Sequence, residues 1–288
     1  MQLLDGKMVA EKRLLQVHRE VDEMMARGIQ PKLVVIQVGE DPASIVYIRQ
    51  KLKRCQETGI ESEHMKFEAD ITTDFLVQKI CSLNDDSTVH GILVQLPLPK
   101  HVNTPQVMKA IDPKKDVDGF TAYNIGKMFL GTEFEHLAPC TPKGVIELLE
   151  EYKIDLKGKD VVMVGASNIV GKPPGIMLLN RGATVSICHI LTKDLASYTR
   201  RADILCVAVG KPNLITADMV KDGVVIVDIG INRKADNTLC GDVDFEGVSA
   251  KTSFISPVPG GVGQMTVACL MENVVLAAKR LETLAGSS

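Results

Sequence analysis

The chain lacks the marks of several protein classes at once. Its seven cysteines (Cys55, Cys81, Cys140, Cys188, Cys206, Cys240 and Cys269) include no C-x-x-C pair. An odd, scattered set argues against a complete disulfide framework and for reduced thiols. Cys188 and Cys206 sit in apolar runs, where a thiol packs as a small hydrophobe. No uninterrupted apolar stretch reaches the roughly 18 residues of a membrane helix, and the opening MQLLDGKMVAEKRLLQ mixes charges too early for a secretory core. The expectation is a soluble, cytoplasmic protein. A formal charge of −3 supplies no general field for nucleic acid or an anionic membrane, so any anion must be bound locally. The six histidines show no H-E-x-x-H or similar spacing, and no metal site is expected. Repeats and low-complexity tracts are lacking too, and nothing suggests a disordered tail beyond the closing AGSS.

What is present suits one large or two smaller α/β domains: 288 residues, 45% apolar and 24% charged. Helical spacing of apolar residues runs from Asp5 to Arg27 and stops at Gly28. KLVVIQVG reads as a buried strand. In the next helix Asp41 caps, Pro42 takes the first turn and Gly59 ends it. TTDFLVQKICSLND repeats the helix signal, and HGILVQLPLP is a strand running into a proline-punctuated loop. Such alternation favours a mostly parallel sheet covered on both faces. PCTPKGVIELLEEY, with Thr141 as cap before Pro142, is read as the bridge to a second domain. KDVVMVGAS, KPPGIMLLNRG and ATVSICHI then form a βαβ unit, extended by the strands ADILCVAVG and GVVIVDIGIN. This is the pattern of a doubly wound nucleotide-binding domain. TVACLMENVVLAAKRLE closes the chain as a helix.

Several residues could carry chemistry. Tyr47 and Lys51 lie four apart and share a helix face, although a ring packed on a lysine stem at a solvated surface would show the same spacing. Gln95 ends a strand, where open α/β sheets collect ligands; a strand-end amide satisfying loop backbone is equally compatible. Asp112, Asp116 and Asp118 occupy one loop, where acids are usually solvated, and their spacing does not fit a calcium loop. VGASNIVGKP places Gly165, Ser167 and Gly171 in a turn between strand and helix, with N–H groups and a helix N-terminus suited to a pyrophosphate. It is not G-x-G-x-x-G, and a plain connecting turn is its alternative. His189 and Ile190 stand where an NAD site would carry an acid. Lys172 offers a charge for a 2′-phosphate, unless it is simply a solvated loop lysine. His189 itself is expected to be a packed polar residue.

Taken together, YIRQKLKRCQETGI, GILVQLPLP, KKDVDGF, PCTPKG, GASNIVGKP, AVGKP, VDIGIN and PVPGGVGQMT, in that order, resemble the methylenetetrahydrofolate dehydrogenase/methenyltetrahydrofolate cyclohydrolase (FolD) family. The resemblance implies two α/β domains separated by a cleft. A folate-binding catalytic domain would span 1–139 and be completed by a C-terminal helix at 266–288, with a Rossmann-like NADP domain at 140–265. It further implies a homodimer that binds folate, converts 5,10-methylenetetrahydrofolate to the methenyl compound with NADP, and hydrolyses that to 10-formyltetrahydrofolate. Tyr47 would stack on the folate, Lys51 act as the catalytic lysine, Gln95 be its hydrogen-bond partner and Asp118 hold the pterin ring. Leu96, Pro97, Pro259, Gly260, Gly261 and Gly263 would line the folate, and Gly165, Ala166, Ser167, Lys172, Ile190, Ile231 and Thr266 the cofactor. PGGVGQMT, which first suggests a phosphate loop, is then better read as a wall of the substrate site, with Gly165 to Gly171 as the phosphate turn. The sequence departs from the family's usual pattern in two respects, at three positions. Lys172 and Ile190 replace an arginine and a polar residue, and Gln264 replaces a proline, which leaves the loop either looser or with an extra donor. The alternatives are a cyclohydrolase without dehydrogenase activity, a two-domain NADP dehydrogenase of the shikimate dehydrogenase type, and a non-catalytic folate-binding protein.

Overall fold

The structure is a computed structural model that describes residues 1–285, the side chains of Ala43 and Ala285 excepted. The chain opens with strand β1 (Gln2–Leu3) and helix α1 (Gly6–Met25), whose Val9, Val17 and Val21 recur at helical spacing and are buried. β2 (Lys32–Val38) is the apolar run expected of a strand covered on both faces. In α2 (Pro42–Thr58) the Asp41 carboxylate accepts the Ser44 N–H at 2.7 Å, and Gly59 closes the helix at φ 76°. That left-handed conformation suits a glycine.

β3 (Glu61–Phe67) was not expected. Its glutamates and lysine give no apolar run, and it forms by pairing with β2 along seven positions, Lys32 bridging Glu61 and Glu63 at 3.1 and 3.2 Å. α3 (Thr73–Asp85) and β4 (Gly91–Val94) follow as read, and the short helices α4 (Thr104–Ala110) and α5 (Ala122–Met128) are additional. The sheet is parallel, in the order β3-β2-β4.

α6 (Cys140–Glu151) starts one residue before Thr141, which therefore lies in the first turn and not at the cap. Its hydroxyl is instead 3.0 Å from that of Thr266. β5 (Asp160–Val164), α7 (Lys172–Asn180) and β6 (Thr184–Cys188) make the βαβ unit. After α8 (Leu195–Thr199) come β7 (Ile204–Val207), β8 (Val224–Asp228), the hairpin β9 (Asn232–Arg233) and β10 (Leu239–Cys240), α9 (Phe245–Ser249) and β11 (Thr252–Ile255). The parallel sheet runs β1-β11-β8-β7-β5-β6 around a core of valine and isoleucine. The chain leaves β5 towards β6 on one side and returns to β7 on the other. This reversal puts the loop after β5 at the switch point where open α/β sheets bind ligands.

The last helix, α10 (Val262–Ala285), begins four residues before the expected Thr266 and takes up the last five residues of PGGVGQMT. Residues 286–288 of the expected segment lie outside the described residues. Two compact units result. One comprises Met1–Ala10, Met128–Phe134 and Thr141–Thr266; the other comprises Glu11–Lys127, Glu135–Cys140 and the chain from Val267. Among the described residues no helix is long and apolar enough to cross a membrane.

Candidate functional site

In the unit built on β2, α2 and β4, the helix face carrying Tyr47 and Lys51 turns towards the carboxyl end of β4. The Lys51 Nζ donates to Gln95 Oε1 at 3.0 Å. Gln95 is itself fixed, its backbone N–H donating to Ile36 O at 2.9 Å and its Nε2 to Leu96 O at 2.8 Å. A glutamine held at both ends presents one defined oxygen to the amine. The peptide between Leu96 and Pro97 is cis, and Ser44 Oγ also donates to Leu96 O, at 3.4 Å. Tyr47, one turn before Lys51, leaves its ring exposed.

Asp118 belongs to the same cluster. Burial pushes its carboxyl pKa above the ordinary value; the nearby Lys51 charge opposes that shift, Asp116 adds to it, and a hydrogen bond from the Cys140 thiol works against it. The two residues before Val117 and Asp118 correct the expectation of solvated loop charges. Asp116 is fully buried, and its carboxylate accepts the N–H groups of Gly119, Phe120 and Thr121 and the Asn124 amide at 2.8–3.3 Å. Lys115 is buried as well, donating to Leu83, Asn84 and Asp86 carbonyls at the end of α3. Together they clamp the short segment that carries Asp118. A cavity of about 730 Å³, bordered by Ile48, Leu52, Gln56 and His64, is lined by none of the residues singled out in the sequence.

In the other unit, β5 runs into Gly165 at φ 122°, where a Cβ would collide with the Ala208 carbonyl. Gly171 closes the turn, its own Cβ position lying 2.6–2.7 Å from the nitrogens of Ser167 and Ala166. The donors differ from those expected. The start of α7 offers little to an anion, because Ser167 already accepts the N–H groups of Val170, Gly171 and Lys172, and Pro173 and Pro174 have none. The N–H groups left without a partner among the described residues are those of Ala166, Ser167, Asn168 and Ile169. The turn, more than the helix end, therefore has the N–H donors that could hold an anion.

Around this carboxyl edge stand exposed apolar side chains, among them Ile231 and Ile190, the latter 98% exposed. Lys172 Nζ reaches Asn168 Oδ1 at 2.7 Å. His189 is exposed rather than packed, since its turn is tied locally, with its N–H on Thr192 Oγ1 at 2.8 Å.

The glycine run belongs to this unit up to Thr266. Gly261 is buried and packed so closely on Gly6 that a Cβ on Gly6 would overlap its carbonyl. Gly260 O accepts the Lys7 N–H at 3.0 Å. Close approach at Gly261 is thus spent on the chain itself, whereas Pro259 and Gly263 remain exposed. The Gln264 N–H donates to Gly261 O at 3.1 Å, so the residue that replaces proline contributes a donor to the first turn of α10.

A doubly wound parallel sheet with a turn of available N–H donors at its switch point, joined to a second α/β unit presenting an amine–amide pair, defines a two-domain nucleotide-dependent enzyme. The family models identify it further: the tetrahydrofolate dehydrogenase/cyclohydrolase catalytic domain matches residues 4–118, and the NAD(P)-binding domain of the same name matches residues 139–282. The chain belongs to this family. It is 57% identical over 279 residues to the bifunctional protein FolD of Nautilia profundicola, covering 97% of this chain and 98% of that one. The crystal structure of the bifunctional methylenetetrahydrofolate dehydrogenase/cyclohydrolase from Campylobacter jejuni superposes with a TM-score of 0.96 at 52% identity, covering 97% and 99% of the two chains. The Trypanosoma brucei dehydrogenase-cyclohydrolase, solved with NADP cofactor and an inhibitor, gives 0.92 at 33% identity, covering 96% of each.

Proposed function

We propose that the protein oxidises 5,10-methylenetetrahydrofolate to 5,10-methenyltetrahydrofolate with NADP, and hydrolyses the product to 10-formyltetrahydrofolate, with Lys51 as the catalytic amine. The observation that carries this reading is the 3.0 Å contact between Lys51 Nζ and Gln95 Oε1, beside the desolvated carboxyl of Asp118. Gln95 holds the amine in one orientation. Lys51 Nζ assists the attack of water on the methenyl carbon and shuttles the proton. Asp118 accepts the paired N–H donors of the pterin edge through charge-assisted bonds. The exposed Tyr47 ring provides the face on which the folate ring stacks. Leu96 and Pro97, beside Gln95, supply further folate contacts.

The nicotinamide nucleotide supplies the hydride acceptor. Ala166 to Ile169, whose N–H groups have no partner among the described residues, would hold its phosphates, and Ile190, Ile231 and Thr266 would line its remaining length. Lys172 gives the 2′-phosphate a single point charge, with Ile190 contributing no polar partner. The NADP bound to the Trypanosoma relative supports this choice. Among the described residues β3 pairs with β2 alone, and that edge supports assembly as a homodimer.

The test is one spectrophotometric assay of methenyl formation from 5,10-methylenetetrahydrofolate with NADP and with NAD. Cofactor-dependent formation followed by decay to the formyl product is expected. Hydrolysis of added methenyl compound without any cofactor-dependent oxidation would leave a cyclohydrolase only.

A further inference from the structure

At the carboxyl ends of β7 and β8 lie two buried aspartates that the two reactions above do not use. Asp242 is fully buried and Asp228 is 4% exposed. Asp242 Oδ2 accepts the N–H groups of Val209 and Gly210 at 2.6 and 3.0 Å; its Oδ1 accepts the Lys211 N–H and the Asn232 amide, both at 2.8 Å. Asp228 accepts the N–H groups of Gly230, Asp242 and Val243 at 3.0–3.1 Å. Among the described residues neither carboxylate forms an ion pair, so N–H donors alone compensate two charges removed from water. The fit leaves no slack, since a Cβ on Gly230 would run into the Asp242 carboxylate and one on Gly241 into that of Asp228.

These bonds have a direction. The three consecutive N–H groups of 209–211 come from the loop after β7, and Asn232, the first residue of β9, ends the loop after β8. Asp242 arrives from the far end of the β9–β10 hairpin and draws both loops onto one point. Val209 and Ile231 stand on those loops with their side chains exposed, 40% and 44%, on the same edge as the Gly165 turn. Ile231 Cδ1 also lies 3.4 Å from the Cβ position of Gly263, so the loop it rides on borders the glycine run.

We propose that Asp242 is a positioning residue for the nicotinamide nucleotide: by gathering the loops at 209–211 and 230–232 it fixes the apolar edge, Val209 and Ile231, against which the cofactor lies. The proposal rests on the reading of this unit as the cofactor half of a dehydrogenase. It makes a claim a purely structural role would not make, because the cyclohydrolase step needs no nucleotide and its residues Lys51, Gln95 and Asp118 belong to the other unit.

The experiment compares wild-type, Asp242→Asn and Asn232→Ala enzymes in three measurements: KM for NADP in the oxidation, NADPH affinity by its fluorescence, and hydrolysis of added methenyltetrahydrofolate without nucleotide. Asp242→Asn, which turns an acceptor into a donor facing N–H groups, should raise KM and Kd for the nucleotide at least about tenfold, the scale of one lost charge-assisted hydrogen bond. Hydrolysis should stay within about twofold. Asn232→Ala removes one of the four donors without touching the carboxylate, and should give the same split with a smaller shift of about threefold; it decides the matter should Asp242→Asn not fold. Unchanged nucleotide binding in the folded variants, or equal loss of both activities, overturns the proposal. Wild-type enzyme without NADP-dependent oxidation would instead overturn the functional reading beneath it.

Discussion

Replacing Asp228 by asparagine isolates a pH dependence that the nucleotide-binding unit should carry. Burial pushes the Asp228 carboxyl up from 3.8 to about 6, helped by the Asp242 charge and opposed by the N–H groups of Asp242, Val243 and Gly230. A group whose pKa is raised on folding binds its proton more tightly in the native state. Its contribution is therefore favourable below about pH 4 and is lost as pH rises towards 6. The shift of about two units corresponds to about 3 kcal/mol in full, of which about 2 kcal/mol falls between about pH 4.5 and about pH 7. Asparagine cannot titrate, so the stability of the wild type minus that of Asp228→Asn should decline by this amount across the interval and be flat above it. The difference removes the opposing contributions of acids such as Asp203 and Asp218, whose pKa values hydrogen bonds from Lys221 and Thr216 hold low. The chain has no tryptophan, so circular dichroism during urea unfolding is the suitable signal. A difference that is constant, or that grows with pH, would show that the three N–H donors outweigh burial and that Asp228 stays ionised at no cost.

Three further substitutions test the site. Lys51→Met should lower hydrolysis of the methenyl compound about a hundredfold or more while leaving folate binding intact, and unchanged hydrolysis removes Lys51 from the chemistry. Asp118→Ala should raise KM for folate substrates about tenfold or more in both reactions, as expected for a lost charge-assisted bond; unaltered folate kinetics would contradict its anchoring role. Lys172→Ala should cut the preference for NADP over NAD about fivefold, one exposed charge pair being worth about 1 kcal/mol, and an unchanged cofactor ratio assigns the 2′-phosphate elsewhere.

Local signals in the sequence were followed where local physics decides. The Asp41 cap, Pro42 and the Gly59 stop of α2 each act within a few residues, and the apolar run of β2 reports a strand buried on both faces. β3 was hidden because its residues are polar and its existence depends on a neighbour. The same holds within the sites. Spacing put Tyr47 and Lys51 on one face, but the Lys51 contact with Gln95 bridges 44 positions of sequence and needs the β4–α2 packing to exist. Asp116 reads as a solvated loop acid and nothing in the sequence singles out Lys115, Asp228 or Asp242, because what buries them is backbone N–H and C=O groups brought up by turns. Only DVDG and GDVD, acids beside a glycine that has no room for a Cβ, gave a hint.

The closeness of Gly6 to Gly261 also bears on how the protein is handled. β1 lies on β11, Leu4 N–H reaches Ile255 O at 2.9 Å, and Lys7 N–H holds Gly260 O. The first seven residues are thus stitched to the stretch that carries the exposed Pro259 and Gly263. Deleting the residues ahead of Lys7 would take the edge partner from β11 and the donor from Ile255 O, and so loosen that stretch.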